Sequence, residues 1–182
     1  MVLPFKWGTK MRKILSFAAL AATIATATPA FAQQASAQAE ARGVVVQPLT
    51  LARVQDLDFG TVVGSAVAGT VDIDADTGGR TVTGGVIGVP SYPGDRALFQ
   101  GAGTSGQDVI LTLNAPTLLI SQSNPTDTIT VNSMTLDNGN ATTRTIGVTG
   151  VFAVGVGGNF AIAANQPAAL YSANFDLTAD YQ

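Results

Sequence analysis

The sequence predicts an all-β fold, a β-sandwich in the part of the chain that follows a cleaved signal peptide. Three observations predict it. Short runs of residues alternate between apolar and polar side chains, which is the period of a half-buried strand. Turn-forming residues separate these runs at intervals of about 8–12 residues. No segment after the signal peptide has the sustained periodicity of a helix.

The first 32 residues have the organisation of a secretory signal peptide. A basic segment, Lys6–Lys13, precedes an uncharged run, Ile14–Thr28, that is too short for a transmembrane anchor. Ala30-Phe31-Ala32 then supplies small residues at the −3 and −1 positions of a cleavage site. We therefore expect cleavage between Ala32 and Gln33. Met11 begins a more typical signal than Met1 does, so either could be the start.

The composition of residues 33–182 argues against several classes of function. Five arginines against twelve acidic residues give a net charge of −7, and His, Cys, Lys and Trp are absent. A nucleic-acid binder needs a positive surface, and the usual zinc sites need His or Cys. Neither His nor Lys is present to activate a Ser or Thr nucleophile, and no acidic residue lies inside an apolar run that would desolvate it. We expect no catalytic residues, no cofactor and no enzyme activity.

Alternating patterns place the individual strands. The clearest pattern is Tyr171–Gln182, where six apolar residues alternate with six polar ones and predict one half-buried strand. Thr70–Asp74 and Asp108–Ala115 alternate in the same way. Val44–Leu51 is expected to form the first strand. The alternation within Asp127–Leu136 changes phase, which predicts a β-bulge near Ser133.

Glycine-rich and turn-forming segments complete the predicted architecture. Arg144–Ala163 is interrupted by Gly155–Gly158 and predicts two strands, or one strand bent at those glycines. Asp137-Asn138-Gly139 is expected to close a tight hairpin, because these residues tolerate positive φ. Thr77-Gly78-Gly79 is a second hairpin candidate. The total of eight to ten short strands is typical of a sandwich or barrel in one domain, residues 43–182.

The segment Gln33–Arg42 differs from the rest of the chain. Four alanines alternate with polar residues there: Ala35, Ala37, Ala39 and Ala41. Small side chains bury little apolar area, so this segment is interpreted either as a flexible leader or as a donor-type strand that forms only against a partner.

A family resemblance covers nearly all of residues 33–182. It is carried by Asp56-Leu57-Asp58-Phe59-Gly60-Thr61-Val62 after the Gln47–Leu51 run, by Val71–Asp74 with Gly78-Gly79-Arg80, and by Ala164-Asn165-Gln166 before the final alternating strand. In this order the segments resemble the DUF4402 family of exported bacterial proteins.

The resemblance implies a single immunoglobulin-like antiparallel β-sandwich of the pilin and adhesin type. It carries over no catalytic residue, because that family has no assigned function. Leu57–Thr61 is also similar to a segment of spore coat U-type secreted pilins, which typically carry cysteines that this chain lacks. From the residues alone, Phe59 is expected to plug one end of the core and Gly60 to permit a tight turn.

Two groups of residues are candidate binding sites. Asp72, Asp74 and Asp76 resemble the start of a calcium loop, but Thr77 and Thr83 stand where that loop needs Gly and a bidentate Glu. We interpret the three aspartates as the solvent face of a strand, with weak calcium binding as the alternative and no metal site expected. Tyr92, in the Pro90–Gly94 loop, is the candidate ligand contact.

The leading functional hypothesis is an exported structural or adhesive surface protein, specifically a pilin-like subunit that assembles by β-strand addition. Its partners would be further copies or fimbrial assembly proteins, with no nucleic acid and no membrane span once the signal is removed. One alternative is a monomeric periplasmic or surface binding module, for example for carbohydrate. The second is a small outer-membrane β-barrel, which would have few aromatic residues for its girdles. Periplasm, cell surface and extracellular space all stay open as locations.

Overall fold

The computed structural model describes residues 35–182. The predicted signal peptide, residues 1–32, lies outside the described residues. The chain divides into two units, of which the first ends at Arg42 and the second comprises Gly43–Gln182. In the first unit, Ala35–Arg42 is exposed and contains no strand.

The second unit is built from thirteen β-strands, all paired antiparallel. They are β1 (Thr50–Gln55), β2 (Val62–Val63), β3 (Gly69–Ile73), β4 (Arg80–Val82), β5 (Ile87–Gly88), β6 (Ala97–Ala102), β7 (Asp108–Asn114), β8 (Leu118–Ser121), β9 (Thr128–Leu136), β10 (Thr143–Thr145), β11 (Val151–Ile162), β12 (Tyr171–Ser172) and β13 (Asp176–Tyr181).

These strands form three sheets. The largest has the order β1-β6-β11-β9-β8-β12, with β3 paired to β11 and β4 to β3. A second sheet has the order β10-β7-β13, and β2 and β5 form a two-stranded ribbon. The predicted all-β sandwich is therefore confirmed.

Strand β11 is the centre of the large sheet. Its first half, Val151–Val156, pairs with β6, and its second half pairs with β3 along the same edge. Cβ atoms at Gly155 and Gly157 would collide with the carbonyl oxygens of Ala75 and Ile73. The glycines therefore permit a close backbone approach inside one strand. Residues 144–163 hold two strands, the end of β10 and all of β11, but Gly155–Gly158 lies within β11 and not between the two strands.

The sandwich has two apolar clusters. The first lies between the large sheet and the three-stranded sheet and includes Leu111, Val154 and Leu177. The second lies over the other half of β11, around Phe160 and Ile162, and is covered by Leu57, Phe59 and Val62 rather than by a full sheet. The Phe59 ring lies 4.9 Å from the ring of Phe160, which confirms the predicted role of Phe59 as a plug.

Several further predictions are confirmed. β3 and β7 form where the alternation places them. Asn159 lies opposite Ser133 and Phe160 lies opposite Val131, so Asn132 is the extra residue of the predicted bulge. The Thr77-Gly78-Gly79 turn joins β3 to β4 as a hairpin.

Other predictions are wrong in their details. The first strand begins at Thr50 rather than Val44, because Val44–Gln47 has no partner strand and Pro48 has no N–H to donate. Tyr171–Gln182 is two strands rather than one: β12 pairs with β8 in the large sheet, and β13 pairs with β7 in the small sheet.

The predicted hairpin at Asp137-Asn138-Gly139 is also wrong. Asn138, Gly139 and Asn140 do have positive φ, of 54°, 68° and 62°. However, the turn connects β9 in the large sheet to β10 in the small sheet, so it is a crossover between layers. The strand count exceeds the prediction because strands of two or three residues are too short to show a period.

Candidate functional site

An open groove runs along one side of the sandwich. One wall is Arg53–Gly64 and the other is Gln166–Leu177. The groove consists of two cavities, of about 470 Å³ and about 800 Å³, and both are lined by Asp56 and Leu57. Phe99 lines the smaller cavity, and Ile129 and Ile162 line the larger one.

The groove exists because the layer that faces the large sheet is incomplete. In that layer β13 pairs only with β7, and β2 pairs only with β5. No strand within residues 35–182 bridges these two pairs. Apolar side chains of the second cluster therefore line a cavity instead of being covered by a paired strand.

The first wall is held by backbone contacts around Gly60. Asp58 and Asp95 exchange two backbone hydrogen bonds, of 2.9 and 2.7 Å. Gly60 has a φ of +72°, and a Cβ there would collide with the carbonyl oxygen of Tyr92. The predicted requirement for glycine at this position is therefore confirmed.

The Arg80 guanidinium also holds this wall, through hydrogen bonds to backbone carbonyl oxygens. Its Nη1 donates to the carbonyl oxygens of Phe59, Thr61 and Tyr92, at 3.3, 3.0 and 2.9 Å. Its Nη2 donates to the carbonyl oxygen of Val89 at 2.9 Å. One side chain thus ties three chain segments together at the motif from Asp56 to Val62.

The second wall is positioned by Tyr171. Its hydroxyl donates to the carbonyl oxygen of Pro167 at 2.7 Å and accepts from Gln166 Nε2 at 2.8 Å. Gln166 Nε2 also donates to the carbonyl oxygen of Thr128 at 3.1 Å. The loop before β12 is therefore fastened to β9, although it contains no strand.

Strand β13 has an unpaired edge next to the groove. The backbone N–H of Gln182 donates to the carbonyl oxygen of Asp108 at 3.0 Å. In an antiparallel ladder the bonded residues alternate, so Asp176, Thr178 and Asp180 bond to β7. The backbone groups of Leu177, Ala179 and Tyr181 consequently point away from β7.

The chain enters the second unit beside the end of β13. Gln47 N–H donates to Thr104 Oγ1 at 2.6 Å, and the Tyr181 hydroxyl donates to the carbonyl oxygen of Gln47 at 2.8 Å. Immediately before this anchor, the side chains of Val44 and Val45 are 82% and 95% exposed. The segment is thus fixed at one end and free at its apolar part.

The structure does not gather the sequence-predicted candidates into one site. Ala35, Ala37, Ala39 and Ala41 are exposed in the first unit. Tyr92 is exposed in its loop and does not line the groove, and only its backbone carbonyl oxygen takes part in fixing the wall.

The three candidate metal ligands each have a different partner. Asp72 accepts from Asn159 Nδ2 at 2.9 Å, and Asp76 accepts from the N–H of Asn138 at 2.7 Å. Asp74 accepts from both the hydroxyl and the N–H of Thr77 at 2.7 Å. Residues 35–182 contain no group of three or more acidic, His or Cys side chains placed to hold a metal ion.

Comparison with known proteins identifies the family. A family model described as a domain of unknown function, DUF4402, matches residues 49–181. The chain belongs to the DUF4402 family. The DUF4402 match contains all thirteen strands and both walls of the groove, and it begins after the Val44–Val46 segment.

The other comparisons give no relative. No curated protein and no solved structure matches the chain. The similarity to spore coat U-type pilins stays a prediction. In the part of the chain that the structure describes, no helix has the length and apolar character needed to cross a membrane.

Proposed function

We propose that this DUF4402 protein is an exported structural subunit of the cell surface, pilin-like in that its copies assemble by β-strand addition. The observation that carries the proposal is the unpaired edge of β13 beside a groove that has Leu57, Phe99 and Phe175 in its lining. A bare strand edge is a template for another strand, and the segment ahead of the domain has no partner of its own.

The mechanism follows from the geometry of the edge. An extended segment of a neighbouring subunit pairs with Leu177, Ala179 and Tyr181 of β13, and these backbone hydrogen bonds supply affinity. Side chains on the inner face of the added strand enter the groove, where Leu57 and Phe175 offer apolar surface. This proposed role requires that the added strand fit the shape of the groove and pair with the backbone of β13. It does not require a chemically reactive side chain.

Four charged side chains line the groove, Arg53, Asp56, Asp58 and Asp176, and two of them pair with each other. Arg53 Nη1 lies 2.5 Å from Asp56 Oδ1 at the rim of the smaller cavity, and both side chains are largely exposed. An exposed ion pair contributes little to stability, about 0–1 kcal/mol. It can therefore open to admit a polypeptide at small cost.

A second candidate function, a monomeric binding module, is favoured by one observation. The Tyr92 ring is exposed in a loop between Pro90 and Pro93, where a sugar face could stack on it. Binding to a glycan array that is lost in Tyr92→Ala would support this function over assembly.

The test of the proposed function uses the exported protein. The full-length gene product is expressed in a bacterial host, its processed form is purified, and its N-terminus is determined by intact mass, with Gln33 as the expected first residue. Light scattering and electron microscopy then compare it with a variant that lacks Gln33–Val46. We expect polymers from the first protein and monomers from the second, with equal thermal unfolding midpoints.

A processed protein that stays monomeric at high concentration, alone and in the presence of extract from its producing cells, would contradict the proposed function. Equal assembly by the two proteins would also contradict it, because the donor segment would then be dispensable.

A further inference from the structure

We infer that Val45 is the plug residue of the donor strand, and that Val44–Val46 of one copy adds to the free edge of β13 in a second copy. This inference rests on the proposed function and deepens it. It assigns the donor role to the valines rather than to the alanines of residues 35–41.

The donor strand is assigned to Val44–Val46 because these apolar residues are unusually exposed. Val44-Val45-Val46 is a run of three β-branched residues, the type that favours strands, yet Val45 is almost completely exposed. Burying one such side chain is worth about 1.5–3 kcal/mol, whereas alanine offers far less area. The run therefore has both the conformation and the apolar surface that a donor strand needs.

The positions of the apolar residues agree with a single inner face. Residues of the same parity lie on one face of a strand. Val45 shares its face with Gly43 and with the alternating alanines, Ala35 to Ala41. Val45 is the one large side chain on that face, so it is the residue that can fill a cavity while the small residues let the backbone lie close to the edge.

The acceptor assignment comes from comparing the sheet edges. β1 is an edge strand, but its register shifts between Arg53 and Gln55, and a bulge of this kind discourages pairing. The edge strands β4 and β10 have three residues each, and β2, β5 and β12 have two each, which is too short to accept a strand securely. β13 pairs with β7 without a register shift over six residues, and its far edge has no partner.

Charge complementarity selects the register. The outer face of β13 carries Asp176, Thr178 and Asp180, and the outer face of the donor carries Glu40, Arg42, Val44 and Val46, with Arg42 in an exposed ion pair with Glu40. If Val44 lies opposite Thr178, Arg42 lies opposite Asp180 in an antiparallel addition and opposite Asp176 in a parallel one. Either direction pairs the arginine with an aspartate, and opposite charges across a strand pair are favourable.

The occupant is a second copy because the donor leaves its own β13 uncovered. Gln47 is fixed beside Tyr181, while Val44 and Val45 remain exposed. Each copy therefore offers one free donor and one free acceptor. Contacts between two different surfaces of the same molecule propagate head to tail unless the rotation closes a ring.

The first test uses a matched pair of exposed valines. Val45→Asp places a charge on the inner face of the donor, and Val148→Asp makes the same change at a valine that is 96% exposed in another loop. We expect Val45→Asp to raise the concentration needed for assembly by about tenfold or more, because the charge resists burial. Val148→Asp is expected to assemble like the unchanged protein.

The results of this test distinguish a failure of the Val45 inference from a failure of the proposed function. Absence of assembly by the unchanged protein refutes both. Assembly by the unchanged protein and equally by Val45→Asp overturns the inference and leaves the proposed function standing. Loss of assembly on deletion of Gln33–Arg42, with Val45→Asp unaffected, likewise overturns the inference and makes the alanines the donor.

The second test measures the register by cross-linking, which is clean because the chain has no cysteine. A Val44→Cys protein is mixed with a larger, tagged Thr178→Cys protein under oxidising conditions. We expect a mixed disulfide, because Val44 and Thr178 would lie directly opposite each other, with Cβ atoms about 4.5–5.5 Å apart in an antiparallel pair. Val148→Cys replaces Val44→Cys as the control.

A mixed-disulfide yield no greater than that of the control would overturn the inference. So would a double variant, Val44→Cys with Thr178→Cys in one chain, that forms its disulfide within the monomer at high dilution. That result would mean that the segment covers its own edge.

Discussion

At the scale of single residues, Gly60 and Arg80 show how one wall of the groove is made rigid. Gly60 supplies a left-handed backbone conformation at a place where no Cβ fits. Arg80 then donates to four carbonyl oxygens around it. The wall is therefore held by backbone geometry and one cation rather than by apolar packing alone.

We expect Gly60→Ala to lower the free energy of unfolding by about 3 kcal/mol, combining a left-handed conformation with a collision. Gly106→Ala is the matched control, since Gly106 has a φ of +76° but nothing near its Cβ position. It should cost only about 1–2 kcal/mol. Urea unfolding of both variants measures the difference, and equal losses would show that the collision at Gly60 is relieved.

Sequence reasoning finds some of these residues and misses others for a physical reason. The roles of Phe59 and Gly60 are predictable from residue type, because a large aromatic ring is suited to filling a core and glycine is suited to a tight turn. Arg80 is not predictable, because its partners are backbone carbonyls, which every residue has. Asp72, Asp74 and Asp76 look like a cluster in sequence, but each finds its own partner.

At the scale of elements, the β3–β4 hairpin is closed by a carboxylate. The Thr77 hydroxyl and then the Thr77 N–H lower the pKa of Asp74, with a smaller contribution from the N–H of Asp76. A carboxyl whose pKa is lower in the folded state stabilises the fold above its unfolded pKa of about 3.9, and this contribution is lost as the pH falls through the folded pKa.

The prediction is that Asp74→Asn destabilises the protein at neutral pH and that its deficit shrinks at about pH 2–3. Thermal unfolding midpoints of both proteins at the two pH values measure it. A deficit that is unchanged by pH would show that the charge of Asp74 does not stabilise the loop.

The strands themselves differ in how well sequence predicts them. Alternation predicts which side chains of Tyr171–Gln182 face inward, since Tyr171, Leu177 and Tyr181 are at least partly buried. It cannot show that the chain changes sheets between Ser172 and Asp176, because both sheets face the same interior. The sequence also does not predict the free edge of β13. A strand is an edge strand because a neighbouring strand is missing, and its own residues do not show this.

At the scale of the whole molecule, the two layers are linked by the turn Asp137–Asn140. Arg144 forms an ion pair with Asp137 and donates to the carbonyl oxygens of Asp137, Ala141 and Thr143. The Arg144 and Asp137 side chains are only 8% and 17% exposed. The pair thus fixes the crossover where β9 leaves one sheet and β10 joins the other.

We expect Asp137→Ala to lower the free energy of unfolding by about 3 kcal/mol or more, because it leaves a buried arginine without its counter-charge. Asp56→Ala breaks the exposed pair with Arg53 and should cost about 1 kcal/mol or less. Denaturant unfolding measures both. Similar losses would mean that the crossover does not depend on the buried pair.

The pairing of strands that are distant in sequence has a consequence for how fast the fold forms. Leu51 pairs with Gly101, Leu113 with Leu177, and Val71 with Phe160, partners that are about 50–90 residues apart in the chain. Chain entropy must be lost before such partners meet, so β-proteins of this kind fold in milliseconds to seconds rather than microseconds. Slow folding suits the predicted export signal, because only a chain that has not yet folded can pass through a narrow translocation pore.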